Sequence, residues 1–147
     1  KDSNLELVIT GNKLWNNKKE MELIKQNPKI KLLGFLPDED LPYLYNLAHI
    51  YIYPSLYEGF GLPLLEAQAC GCPVIAANAS SLPEVAGKGA LLVNPNDEND
   101  IAKAITRLAR NKSLRNKLIK QGFNNVSNFS WDKAAKETLE VMKNGKN

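Results

Sequence analysis

Histidine occurs once and cysteine twice in the 147 residues, which excludes most metal and thiol chemistry at the outset. His49 alone forms no histidine cluster, and Cys70 and Cys72 lack the second Cys or His pair that a zinc site needs. The two thiols read as reduced and buried in a cytosolic protein. His49, between Ala48 and Ile50 in a strand-like run, reads as structural rather than as an acid or base. No apolar run approaches the roughly 18 residues that span a bilayer, and no signal-peptide core follows the first residues. Charge of one sign is also scarce: 19 basic against 16 acidic residues leave +3. The densest basic stretch, Arg107, Arg110, Lys112, Arg115 and Lys117, falls on a predicted helix and reads as a solvated face, so no nucleic-acid partner is expected. With neither repeats nor low-complexity segments, the sequence predicts one globular domain with a buried core.

Within that domain the pattern divides into an α/β portion, residues 1–95, and a helical tail, residues 96–147. Short β-branched, apolar runs predict strands at 5–10 (LELVIT, closed by Gly11), 29–35 (KIKLLGF), 49–53 (HIYIY, closed by Pro54), 74–77 (VIAA) and 89–93 (GALLV). Helical stretches fall between them at about 17–26, at 39–48 after the turn at Pro37 and Asp38, and at 63–69 with proline in the first turn. Strands alternating with helices through short turns predict a Rossmann-like α/β fold, a parallel sheet with helices on both faces. From Asp97 onward Ile101, Ala104, Ile105 and Leu108, then Leu114, Leu118 and Ile119, then Ala134, Ala135, Leu139 and Met142 recur at helical spacing. Asp97 and Ser130 are the expected N-caps of the first and last of these helices. The last residues, 144–147, are expected to fray.

The stretch that carries chemistry is Pro54-Ser55-Leu56-Tyr57-Glu58-Gly59-Phe60-Gly61-Leu62-Pro63-Leu64-Leu65-Glu66. It follows a strand at the carboxyl end of a parallel sheet, where open α/β sheets bind ligands. Gly59 and Gly61 allow a ligand close to the backbone, and the free amides of a helix opening near Pro63 suit a diphosphate. Glu66, about one turn into that helix, can accept from two vicinal hydroxyls such as those of a ribose. Glu58 stands just outside the glycines, where it can accept from the hydroxyls of a group beyond the phosphates. A glycine pair alone would more often be no more than a tight turn, but here two carboxylates flank it.

This stretch resembles the signature of the family 4, or group 1, retaining glycosyltransferases of the GT-B fold, in which two glutamates bracket a Gly-Phe-Gly-Leu loop. The likeness extends through Cys70-Gly71-Cys72-Pro73-Val74-Ile75-Ala76, Gly34-Phe35-Leu36-Pro37, Ser81-Leu82-Pro83-Glu84-Val85 and Phe129-Ser130-Trp131. It implies the C-terminal, nucleotide-sugar-binding half of such an enzyme. Glu58 would be the catalytic-site carboxylate on the donor sugar. The backbone of Gly59, Phe60, Gly61 and Leu62 would hold the diphosphate and sugar, and Glu66 the ribose. Gly11 would let the nucleotide pack against the end of the first strand, and Leu36 would lie beside the base. The stretches at Gly11 to Trp15 and Ser80 to Val85 look most like bacterial polysaccharide mannosyltransferases, whose donor is GDP-mannose. No cofactor and no metal are expected. The acceptor, a glycan or lipid-linked sugar, would be held by an N-terminal domain outside this chain, and the parent enzyme can associate peripherally with the inner face of the cell membrane.

Family members begin this domain with a further strand that supplies an arginine and a lysine for the leaving diphosphate. This chain starts after that strand, so a gap is expected between strands 5–10 and 49–53, with lowered stability and self-association in the isolated chain. Lys13 reads as a solvated loop lysine rather than a substitute cation.

Other signals are set aside. Asp38-Glu39-Asp40 resembles a metal-binding acidic pattern but opens a predicted helix, where acids suit the exposed amides. Tyr43, Tyr45, Tyr51 and Tyr53 fall on a helix and a strand in pairs and are not read as one stacking platform. Ser55 has no histidine partner, and Trp15 and Trp131 read as packing residues. The alternatives are an epimerase or phosphorylase on the same fold, expected to lack the full two-glutamate pattern, and a folded fragment with little ligand affinity. A dinucleotide-dependent oxidoreductase would need G-x-G-x-x-G after the first strand, which Gly11-Asn12-Lys13 does not supply.

Overall fold

The computed structural model describes residues 5–11 and 18–145; Lys13, Trp15 and the helix onset expected at Asn17 lie outside the described residues. The chain forms two compact units, Lys1–Leu44 and Tyr45–Asn147.

In the first unit β1 (Leu7–Thr10) and β2 (Ile30–Gly34) pair in parallel, with α1 (Lys18–Gln26) between them in sequence. The register slips by one residue between Ile9 and Thr10, so that Thr10 faces Gly34. The ladder ends on a bond from the Gly11 N–H to the Gly34 carbonyl, 2.9 Å. The helix α2 (Leu41–Leu47) begins two residues later than the sequence predicts. Asp38, Glu39 and Asp40 form the preceding turn, closed by bonds from Asp40 N to Pro37 O and from Leu41 N to Asp38 O. The acids therefore precede the helix and do not occupy its first turn. The division between units falls within α2.

The second unit is built on a parallel sheet of β3 (Tyr51–Tyr53), β4 (Val74–Ala77) and β5 (Ala90–Val93), in the order β3-β4-β5. All four residues of the central strand β4 are buried, as expected of a strand covered on both faces. Its Ile75 packs with Val93, Ala104, Leu108 and Leu118, so α5 (Glu98–Arg110) and α6 (Lys112–Val126) close one core with the sheet. The predicted apolar positions Ile101, Ile105 and Leu114 line the same core. The predicted caps are in place: Asp97 accepts from Asn99 N and Asp100 N, and Ser130 from Lys133 N. Asn111 both ends α5 and caps α6 through Leu114 N. Arg115 donates to the Leu108 and Ala109 carbonyls, which satisfies the end of α5 and removes this arginine from the solvated basic face.

The helix α3 (Leu62–Ala69) is fixed from behind by Gln68, only 1% exposed. Its amide donates to Ala86 O at 3.1 Å and accepts from Asn125 Nδ2 at 2.8 Å, and the same Asn125 nitrogen reaches Val85 O. A buried amide must have such partners, and these tie α3 to α6 and to the short helix α4 (Leu82–Ala86). The segment of α4 reads as a loop in the sequence. Its Pro83 stands in the first turn, where a missing N–H costs nothing.

Two expectations change. The strand β3 starts at Tyr51, so His49 lies in an exposed bend rather than within a strand. The last helix, α7 (Trp131–Asn144), has no buried residue, and Trp131 is 79% exposed. Trp131 is therefore not a packing residue here: periodicity gives α7 an apolar face without placing anything against it. Among the described residues β1 pairs only with β2 and β3 only with β4.

Candidate functional site

Two loops leave the carboxyl ends of the neighbouring parallel strands β3 and β4, and they meet. From β4, Ser80 and Ser81 reach across to the loop that follows β3. Ser80 Oγ donates to the Glu58 carbonyl at 2.8 Å and accepts from Glu58 N at 3.3 Å. Ser81 Oγ lies 3.0 Å from the Glu58 carbonyl and 2.9 Å from that of Phe60. The backbone on both sides of Gly59 is thus held by two hydroxyls. Ser80 adopts a φ of 53°, uncommon for a residue with a side chain and of the kind that concentrates at functional sites. Ser55 Oγ donates to Tyr57 O at 3.2 Å and is occupied with its own loop.

The loop passes into α3 through Gly61, whose φ of 108° a side chain would strain. A Cβ there would also fall 2.7 Å from Leu82 Cδ2. Gly59 has neither constraint: a Cβ would meet nothing within 4 Å. The fold thus requires glycine at 61 and not at 59. No side chain caps α3, and Pro63 has no N–H to offer in its first turn. Phe60 and Leu62 are each 43% exposed. The Phe60 ring meets Phe129 edge to face at 5.9 Å.

The carboxylates at the two ends of the loop both meet tyrosines. Tyr45, 6% exposed, donates its hydroxyl to Glu66 Oε2 at 3.2 Å. Tyr53 stands near enough to Glu58 for that carboxylate to hold its phenol up. Between them stands Tyr51, edge-on to Tyr45 with ring centroids 5.2 Å apart and stacked on Tyr53 at 5.9 Å. Three tyrosines that the sequence reading separates therefore form one cluster, without Tyr43, which is 70% exposed. The signal was present: positions 51 and 53 of a strand share a face, while Ile50 and Ile52 turn to the core. Burial, reinforced by the neighbouring carboxylates and phenols, raises all three phenols above the ordinary tyrosine value, so they remain protonated and able to donate. Burial likewise pushes the Cys72 thiol up to about 11 and raises Cys70. Both cysteines are free, Cys72 buried and Cys70 partly so.

In the first unit Gly11 and Leu36 lie in the segments that follow β1 and β2, with Gly11 bonded to Gly34. Among the described residues no group of three or more His, Cys, Asp or Glu side chains gathers as a metal site would, Asp38, Glu39 and Asp40 included. No helix among them is long and apolar enough to cross a membrane.

Comparison with known proteins bears on these elements together. The family model for glycosyl transferases group 1 matches residues 1–125. O-antigen chain mannosyltransferase B of Escherichia coli is 39% identical over 140 residues, which are 93% of this chain and 37% of that protein. The C-terminal domain of a group 1 family glycosyl transferase from Francisella tularensis is 34% identical, with a TM-score of 0.67 over 78% of this chain and 62% of that one. Anabaena HepE, solved with UDP and glucose, superposes with a TM-score of 0.82 over 95% of this chain and 40% of its own. At 21% identity that likeness bears on the fold alone. The chain spans little more than a third of the length of the mannosyltransferase.

Proposed function

From a chain that belongs to the group 1 glycosyl transferases, we propose a domain that binds the nucleoside-diphosphate-sugar donor of a retaining hexosyltransferase acting in polysaccharide or glycan synthesis. The observation that carries this reading is the loop between Glu58 and Glu66, with its backbone clamped by Ser80 and Ser81 and the Tyr45 hydroxyl on the Glu66 carboxylate. In it Glu58 accepts from hydroxyls of the donor sugar. The backbone of Gly59, Phe60, Gly61 and Leu62 receives the diphosphate and sugar, and Glu66 accepts from the ribose. Holding this backbone before the ligand arrives lowers the ordering cost of binding. The assignment of Gly11 and Leu36 to the nucleotide rests on the family resemblance.

The donor in this proposal is GDP-mannose, supported by the mannosyltransferase relative. The acceptor is held by the rest of the parent enzyme, and no divalent metal takes part. The full-length enzyme, freed of metal with EDTA, is expected to transfer mannose from GDP-mannose with retention and to leave UDP-glucose unused. Strict dependence on Mg²⁺ or Mn²⁺, or preference for the UDP donor, would overturn the corresponding part of the proposal.

A further inference from the structure

The tyrosine cluster is more than packing. Tyr51 and Tyr53 occupy the face of β3 opposite Ile50 and Ile52, which supply that strand's contribution to the core. Phenylalanine would stack as well at position 45, yet the hydroxyl of Tyr45 ends on the carboxylate of Glu66. Glu66 is itself exposed on its helix, so without a partner its side chain would sample several rotamers. Tyr45 is buried, and its edge contact with Tyr51 fixes the direction from which the hydroxyl approaches.

The geometry points to Tyr45 as a positioning residue for Glu66, with the direction of its hydroxyl set by the ring of Tyr51. This rests on the reading of the two glutamates given above. One oxygen of Glu66 is occupied by the phenol, which turns the other toward a ligand hydroxyl.

The test uses the full-length enzyme and calorimetry with GDP and with inorganic pyrophosphate. Tyr45→Phe is expected to weaken GDP about three- to tenfold, the range that follows from one lost hydrogen bond, with pyrophosphate unchanged within about twofold. The double variant Tyr45→Phe/Glu66→Gln should bind GDP no more weakly than Glu66→Gln alone, since both changes remove one interaction. Equal losses for the two ligands, additive losses in the double variant, or no loss in Tyr45→Phe would overturn the positioning role. A normal GDP affinity in Glu66→Gln would overturn the ribose assignment itself, so the two failures are distinct. Should Tyr45→Phe not fold, Tyr51→Leu, which removes the ring that sets the direction of the phenol, is expected to weaken GDP with pyrophosphate unchanged within about twofold, and an unchanged GDP affinity would overturn the positioning role.

Discussion

Replacing Glu58 by glutamine in the full-length enzyme is expected to lower kcat by roughly 10² to 10³, the scale found when one preorganised group beside developing charge is removed. Glu66→Gln is expected to raise the donor KM with kcat close to that of the unaltered enzyme. The distinction follows from where the proposal places each carboxylate. A group on the reacting sugar can bind the transition state more tightly than the ground state, whereas a ribose contact is the same in both and contributes uniform binding. The backbone of Glu58 is held at both its N–H and its carbonyl by Ser80, and at the carbonyl again by Ser81. Its placement therefore precedes ligand binding, and the substitution changes chemistry with little change of geometry. Steady-state kinetics showing the larger kcat loss in Glu66→Gln would reverse the division of roles.

The second large effect separates the two glycines of the loop. Gly61→Ala places a methyl 2.7 Å from Leu82 Cδ2 at a φ of 108°. Leu82 is fully buried and cannot withdraw. Left-handed strain of about 1–2 kcal/mol adds to an overpacking cost of about 1–3 kcal/mol, so a destabilisation of about 2–5 kcal/mol is expected in urea or thermal unfolding. At Gly59 a methyl has open space and an ordinary φ, so Gly59→Ala should change stability by no more than about 0.5 kcal/mol. It should nonetheless weaken GDP-mannose, because the ligand needs the space that the fold leaves empty. Equal destabilisation by both substitutions, or full donor affinity in Gly59→Ala, would contradict this account.

The contrast between these glycines shows where sequence reading stops. The loop could be located from Pro54, the two glutamates and the strand before it, because those signals are local. That packing requires glycine at 61 but not at 59 depends on Leu82, more than twenty positions away in the chain. The strand at 74–77 was legible to the residue, since four consecutive apolar residues between Pro73 and Asn78 have few other readings. Asp97 and Ser130 were legible as caps because capping is a short-range bond. The helix of residues 82–86 was missed, as five residues are too few to establish a period. The groups 101–108 and 114–119 read separately in the sequence, but the place of the break, at Asn111, did not.

The tyrosines were misread for a different reason. They were compared as pairs along the chain, whereas the cluster is formed by a helix residue, Tyr45, that meets a strand face. The alternation of Tyr51 and Tyr53 with Ile50 and Ile52 would have revealed that face, but not its partner. Trp131 shows the opposite limit. Its helix has the periodicity of a buried element, and burial depends on a neighbour that periodicity does not supply.

The central claim is that the loop from Glu58 to Glu66 holds the donor, and a crystal structure of the full-length enzyme with GDP-mannose tests it most directly. The account predicts the diphosphate against the backbone amides of residues 59–62, both ribose hydroxyls on Glu66, and mannose hydroxyls on Glu58, with the Ser80 and Ser81 bonds unchanged. A donor bound elsewhere, or bound here with Glu58 and Glu66 both turned away from it, would contradict it.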